Sequence, residues 1–261
     1  MNRPVDVQID VTRALNEQLV GLRTRYRDEA HTQIVHDSLH NRPGWTEGYL
    51  LQIDGHPAGL ASIAIAGPWQ DRPTIYEYYL LPEFRQHAFA VFEQFQRVSG
   101  GRFFEVQTSD ELLAVMLHTY GHQIATEKIV FRDLLTTHHT VPGAKLVWET
   151  DRPLIEQAMH ERRGGGEWKL TLHAQPVGKG GLLFHYNPPY GDIWMEIEEP
   201  YRRQGLGSYL VQEIKQIAYQ LGAIPAARCN FDNIASRRTL QRAGFVPYAS
   251  ILLGEVAASS A

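Results

Sequence analysis

The chain repeats itself, and that repeat constrains its fold more than any other feature. "YEYYLLPEFRQHAFAVFEQFQ", beginning at Tyr76, is matched by "IWMEIEEPYRRQGLGSYLVQE", beginning at Ile193. Each reads as a strand-like run, an aromatic–arginine pair (Phe84-Arg85, Tyr201-Arg202) and an amphipathic helix. Further on, "RFFEVQTSDELLAVMLHTYGH" parallels "PAARCNFDNIASRRTLQRAGF": a strand, a polar turn and a short helix stopped at Gly121 or Gly244. A chain of 261 residues has room for two domains of about 130. Two diverged copies of one α/β unit are expected, joined through the polar "TTHHTVPGAKL" at 136–146. The expected division is 1–138 and 139–261.

The second half reads more sharply. "AKLVWETD" is a strand, and "RPLIEQAMHERR" a helix with Asp151 at its N-cap and Pro153 in its first turn. "EWKLTLHAQ" alternates as a strand, and two more strands flank a turn at "NPPYGD". A helix then runs from Gly205 to a stop at Gly222, with Leu206, Tyr209, Leu210, Ile214, Ile217 and Leu221 on one buried face. "AIPAARCNF" is a strand, Asn233–Ala243 a helix, and "FVPYASILLGEV" the last strand.

The strand that precedes Gly205 ends in R-x-x-G-x-G. Glycine lacks a Cβ, so a bulky anion can approach the backbone at Gly205 and Gly207. The first amides of a helix have no partner within it, and the helix dipole adds partial positive charge. Together they suit a phosphate or diphosphate, with Arg202 and Arg203 adding charge at the rim. The turn is not a P-loop, which ends in Gly-Lys-Ser/Thr where this chain has Gly207-Ser208-Tyr209. Nor is it the dinucleotide fingerprint, which wants a small residue where Leu210 stands.

Downstream, "NFDNIASRRTLQRAGF" places Asn233 and Ser236 at a helix start and Gly244-Phe245 at its end. The two segments together resemble the cofactor signatures of the GNAT acetyltransferase superfamily, over roughly residues 145–256. The resemblance implies an α/β (α+β) fold, two units each with a mixed, splayed sheet flanked by helices, and acetyl-CoA or another acyl-CoA as cosubstrate. It implies that Ile197, Glu198 and Glu199 lie edge-on to the pantetheine arm, that the backbone of Arg203, Gln204, Gly205, Leu206, Gly207 and Ser208 holds the diphosphate, and that Asn233 faces the same ligand. An amide near Ile197 would polarise the thioester carbonyl. A primary amine, more readily on a small molecule than on a protein, would attack it, and a general base would take the proton.

The chain departs from the family where the chemistry needs it. Leu240 stands where many members carry a tyrosine acid, and Arg228 where some carry a glutamate base. The remaining candidates are Asp192 and Glu196 on the fourth strand and His185 on the third, with a water relay as an alternative. In the first copy the glycine positions are Ala88 and Ala90, and Asp110 replaces the asparagine, so that copy is expected to have lost the cofactor. A non-catalytic acyl-CoA-binding module is the contrasting reading.

Composition narrows the partners. A net charge of −4 gives no basic face for nucleic acid. No apolar run reaches the length of a membrane span, and "MNRPVDVQID" lacks the apolar stretch of a signal peptide. The one cysteine, Cys229, suits a reducing cytosol and reads as inert core. The histidine pairs His36/His40 and His118/His122 have metal-ligand spacing but no third ligand nearby, and read as solvated helix faces, so no metal is expected. "ERRGGGE" at 161–167 reads as a lid or a plain loop, and "YNPPYGD" at 186–192 as a substrate contact or hairpin packing. Oligomeric state is not legible.

Overall fold

The computed structural model describes residues 7–34 and 37–257. The described residues divide into two compact units, those within 1–32, 39–126 and 251–261 in one and those within 33–38 and 127–250 in the other. Each has a mixed sheet with helices against it, the expected α/β architecture.

Unit 1 contains β1 (Ile9–Ala14), α1 (Asn16–Ala30), β2 (Thr46–Ile53), β3 (His56–Ala64), β4 (Thr74–Leu80), α2 (Ala88–Ser99), β5 (Phe103–Gln107) and α3 (Glu111–Tyr120). Strand β6 (Gly121–Asp133) begins in unit 1 and enters unit 2 at residue 127. Unit 2 continues with β7 (Ala144–Trp148), α4 (Arg152–Glu161), β8 (Gly165–Leu172), β9 (Gln175–Leu183), β10 (Tyr190–Ile197), α5 (Leu206–Gln220), β11 (Ile224–Asn230) and α6 (Ile234–Arg242). The last strand, β12 (Phe245–Val256), starts in unit 2 and passes into unit 1 at residue 251.

Within unit 1 the strand order is β1-β2-β3-β4-β5 and then the end of β12; within unit 2 it is the end of β6, then β11-β10-β9-β8-β7. Each sheet has one parallel pair, β4 with β5 and β10 with β11. Val130 and Phe131 on β6 are buried in unit 2, and Leu252 on β12 belongs to the core of unit 1. A single cut at 138/139 assigns each of these strands whole to one half. Here each is divided: β12 buries Phe245 in the core of unit 2 and Leu252 in that of unit 1, and β6 buries Phe131 in unit 2 while its start, 121–126, stays largely exposed in unit 1.

The repeat is visible in atomic detail. Both units have a hairpin closed by two left-handed residues, Asp54-Gly55 after β2 and His173-Ala174 after β8, with a register shift just before each. In both, the arginine of the aromatic–arginine pair turns back on the exit of its strand. Arg85 Nε donates to Leu80 O at 3.1 Å, and Arg202 Nε to Ile197 O at 2.9 Å. The sequence reading carries a strand straight through His173 and Ala174. Asn-Gly is the usual choice for such a turn, so the pattern gave no turn signal. His173 N donates to Gly143 O at 3.0 Å, a tertiary contact that helps hold the bend.

The predicted helix face on α5 is the one buried: Leu206, Leu210 and Ile214 are inside, with Tyr209 and Ile217 at its margin. Lys215, buried on the same helix, pairs with Asp133 at 2.5 Å and donates to Leu135 O and Ala243 O at 3.0 and 2.7 Å. Its charge thereby satisfies a carbonyl at the C-terminal end of α6 and one in the segment after β6. Gly244 follows at φ +91°, and a methyl there would lie 2.0 Å from Leu135 O. Gly244→Ala combines left-handed strain with a backbone clash, so a loss of about 3 kcal/mol or more is expected in urea unfolding.

Candidate functional site

The site begins where β10 and β11 part. The strands pair in register only from Tyr190↔Ile224 to Ile193↔Ala227, although β10 continues to Ile197 and β11 to Asn230. On its far side β10 stays paired with β9 as far as Ile197↔Gly178, and β11 stays paired with β6 as far as Asn230↔Lys128. Both walls of the fork are therefore held while its interior is unpaired. Its β10 wall runs four residues, about 13 Å, from Ile193 to Ile197.

Ladder alternation decides which amides face the fork. Glu198 N donates to Val177 O on the β9 side at 3.0 Å, while Ile224 N on β11 donates to Pro189 O at 3.0 Å. Odd-numbered residues of this strand thus direct their backbone groups toward the fork, and even-numbered ones toward β9. Of the segment read from the sequence, Ile197 points its amide into the fork, whereas the Glu198 amide is already used. Met195, nearer the apex, also faces its amide inward. Sequence reasoning missed it, although counting alternate residues from the strand end would have found it.

At the open end lies the glycine turn. Glu199 opens a short 3-10 turn, and its carbonyl accepts from Arg202 N at 3.2 Å. Arg203 is left-handed at φ +64°, the Gln204 side chain donates to Pro200 O at 3.4 Å, and Gly205 is the helix N-cap at φ +81°. The first amide bonded within α5 is that of Tyr209, to Gly205 O at 3.0 Å, so those of Leu206, Gly207 and Ser208 precede the helix ladder. A Cβ on Gly205 would meet nothing within 4 Å, which leaves open space over these amides.

Gly207 has a different task. A Cβ there would press on Thr239 Cγ2 at 3.1 Å and face Ile197 Cγ1 at 3.7 Å, so its bareness lets α5 pack against α6 and β10. Ser208 Oγ is likewise turned inward, to Thr239 O at 3.2 Å. Asn233 caps α6: its Oδ1 accepts from Ser236 N at 2.9 Å. Arg202, expected as rim charge, is exposed and donates its Nε to the strand exit, Ile197 O.

At the apex the structure gathers ionisable groups. Asp192 on β10 is buried, and its Oδ2 accepts from Arg228 Nε at 3.3 Å. Burial pushes its carboxyl up to about 6, against the pull of the Arg228 charge. Its Oδ1 is buried with no hydrogen-bond partner among the described residues. The Arg228 guanidinium stacks 4.8 Å from the ring centroid of Tyr186, and that ring lies 4.1 Å from the His185 ring. His185 stands in the bend after β9, not on the strand where the sequence reading put it. Glu196 is exposed and paired in register with Lys179, away from this cluster. Leu240 is buried in the core of unit 2.

Cys229 is buried in the core of unit 2, and burial raises its thiol. The glycine run is packed: Gly165 and Gly166 open β8, and Arg162 donates to Tyr186 O and Tyr190 O across the hairpin. His36 lies outside the described residues. His40 sits buried 3.1 Å from Glu77, not on a solvated face, while His118 is exposed. Among the described residues no cluster of three or more His, Cys, Asp or Glu could hold a metal, and no helix is long and apolar enough to cross a membrane.

The corresponding place in unit 1 is built differently. β4 and β5 also part early, after Ile75↔Phe104, but the segment leading into α2 is a 3-10 turn in which Phe84 N donates to Leu81 O and Ala88 N to Arg85 O. None of its residues is left-handed. Asp110 caps α3 through Leu113 N at 3.1 Å and takes the Tyr26 hydroxyl as its other partner.

Residues 132–245 match the model of the acetyltransferase (GNAT) family. No curated protein matches the chain in sequence. Among solved structures, an acetyltransferase of the GNAT family from Colwellia psychrerythraea superposes with a TM-score of 0.72 at 15% identity, over 95% of this chain and 99% of its own. A tandem GNAT protein from the clavulanic acid biosynthesis pathway gives 0.63 at 14%, over 97% and 100%. A GCN5-related N-acetyltransferase from Sphaerobacter thermophilus gives 0.55 at 15%, over 95% of each chain. At such identities these likenesses speak for the fold, and the family model for the second unit. The stretch 132–245 is thus similar to the GNAT acetyltransferase family, and the chain as a whole has the fold of GNAT acetyltransferases.

Proposed function

We propose that unit 2 transfers the acetyl group of acetyl-CoA to a primary amine on a small molecule, by direct attack. The observation that carries this reading is the fork, with bare amides at one end and the half-satisfied carboxylate of Asp192 at the other. Acetyl-CoA fits this arrangement. The amides of Leu206, Gly207 and Ser208 and the left-handed Arg203 and Gly205 would hold its diphosphate, and the β10 edge from Ile197 inward its pantetheine arm. When bound, it supplies an activated acetyl thioester: the amine nitrogen bonds to the carbonyl carbon as the carbon–sulfur bond breaks, and CoA leaves.

The chain's own groups do the rest. The Met195 amide faces the fork near the apex and is the donor best placed to stabilise charge on the carbonyl oxygen. Asp192 Oδ1 accepts the amine proton, directly or through one water, which requires the carboxyl to be ionised. Arg228 keeps that carboxylate charged despite its burial. A cytosolic setting suits the single buried thiol.

The test is release of free thiol from acetyl-CoA against a broad panel of primary amines. Turnover above the uncatalysed rate is expected with at least one class. Tight acetyl-CoA binding with no release across the panel would favour a binding module instead. We further propose that unit 1 no longer binds the cofactor, since the Phe84 and Ala88 amides of its turn are internally bonded and Asp110 is engaged by Tyr26. Calorimetric titration is expected to give one acetyl-CoA per chain; two equal sites would refute the loss.

A further inference from the structure

We propose that the acceptor amine also carries a carboxylate, and that Arg228 recognises it. The inference rests on the transfer reaction above and names its substrate class. Arg228 is the first β11 residue beyond the last paired position, so it stands at the apex of the fork. Two contacts fix its guanidinium plane: Nε to Asp192 Oδ2 at 3.3 Å, and stacking on Tyr186 at 4.8 Å. With Nε committed, the two terminal amino groups remain, and the side chain is 25% exposed. Such a pair of donors, held in a fixed plane, matches the two oxygens of a carboxylate.

The neighbouring acceptor completes the argument. Asp192 Oδ1 is buried and unpartnered among the described residues, within the same ion pair. An amine nitrogen on Oδ1 and a carboxylate on the Arg228 amino groups satisfy both partners with opposite charges. An amine without the acid satisfies only one. Lys128, across β11, is ion-paired with Glu127, so Arg228 is the cation at the apex whose partner lies in the site itself. A free amino acid, or a small amine built like one, has both groups within a few bonds. An internal lysine of a protein has no such carboxylate.

The experiment compares amino acids with their carboxamides and their decarboxylated amines, by thiol release and by calorimetric titration into the CoA-saturated protein. At least one amino acid is expected to exceed its carboxamide in kcat/KM by about ten- to hundredfold. Arg228→Gln is expected to raise KM for that acid by a similar factor while leaving KM for acetyl-CoA unchanged. Arg228→Lys, which keeps the charge but loses the planar fork, recovers only part of it. Loss of the charge beside Asp192 also lowers kcat for every acceptor, so the deciding readout is the preference for the acid over its carboxamide, which Arg228→Gln is expected to abolish and a merely structural role would leave unchanged. Amino acids that neither bind nor react, or that gain nothing over their carboxamides, overturn the proposal. Absence of thiol release from every amine counts against the transfer reaction, and the titrations then still decide whether Arg228 binds a carboxylate.

Discussion

Gly205→Val is expected to raise the dissociation constant for acetyl-CoA by about a hundredfold or more while the protein stays folded. Two effects combine. At φ +81° a branched side chain is strained, at a cost of roughly 1–2 kcal/mol. The isopropyl group would also stand in the open space over the first amides of α5, where the diphosphate must sit. Gly207→Ala is the informative contrast. Its methyl meets Thr239 at 3.1 Å, inside the packing of α5 on α6, so it is expected to lower the thermal midpoint more than it weakens cofactor binding. Titration and thermal unfolding of both variants separate the two roles. Unchanged affinity in Gly205→Val would remove the basis for the cofactor site.

Asp192→Asn is expected to lower kcat by about a hundred- to a thousandfold, the usual scale for a lost general base, with KM for acetyl-CoA little changed. The wild-type protein should also show an acid limb in kcat/KM, rising with pH through about 6 as Asp192 loses its proton. The asparagine variant should lack that limb. The stability sign runs the other way. Because burial raises this carboxyl in the folded state, its contribution to stability is full below the ordinary carboxylate range. That contribution is lost as pH rises through about 6. Keeping the ionised form costs roughly 3 kcal/mol, a cost that makes sense for a group kept for chemistry. A variant with full kcat and an intact acid limb would pass the proton to another group.

Much of the site was legible because its signals are local. R-x-x-G-x-G before an amphipathic run marks the turn at Arg203–Gly205, and N-x-x-S ending in Gly-Phe marks α6. The face of α5 was readable from spacing, since 3.6-residue periodicity needs no knowledge of neighbours. The two glycines of the turn look equivalent in sequence and are not: Gly205 is set by its φ, Gly207 by Thr239 from another helix. Asp192 and Glu196 have the same parity on one strand, yet only Asp192 is buried beside an arginine. Arg228 reads as a missing glutamate until its partners are known. His173-Ala174 reads as strand because neither residue signals a left-handed turn.

The sequence alone determined that the chain holds two related α/β units and that the second has a helix start suited to a diphosphate. Both follow from periodicity and from bonding groups supplied by neighbouring residues. Only the tertiary structure decided which carboxylate stands at the fork, which amides face it, and that β6 and β12 each serve both units. Burial, register and charge pairing depend on residues far apart in the chain, and they exist only once the strands have found their neighbours.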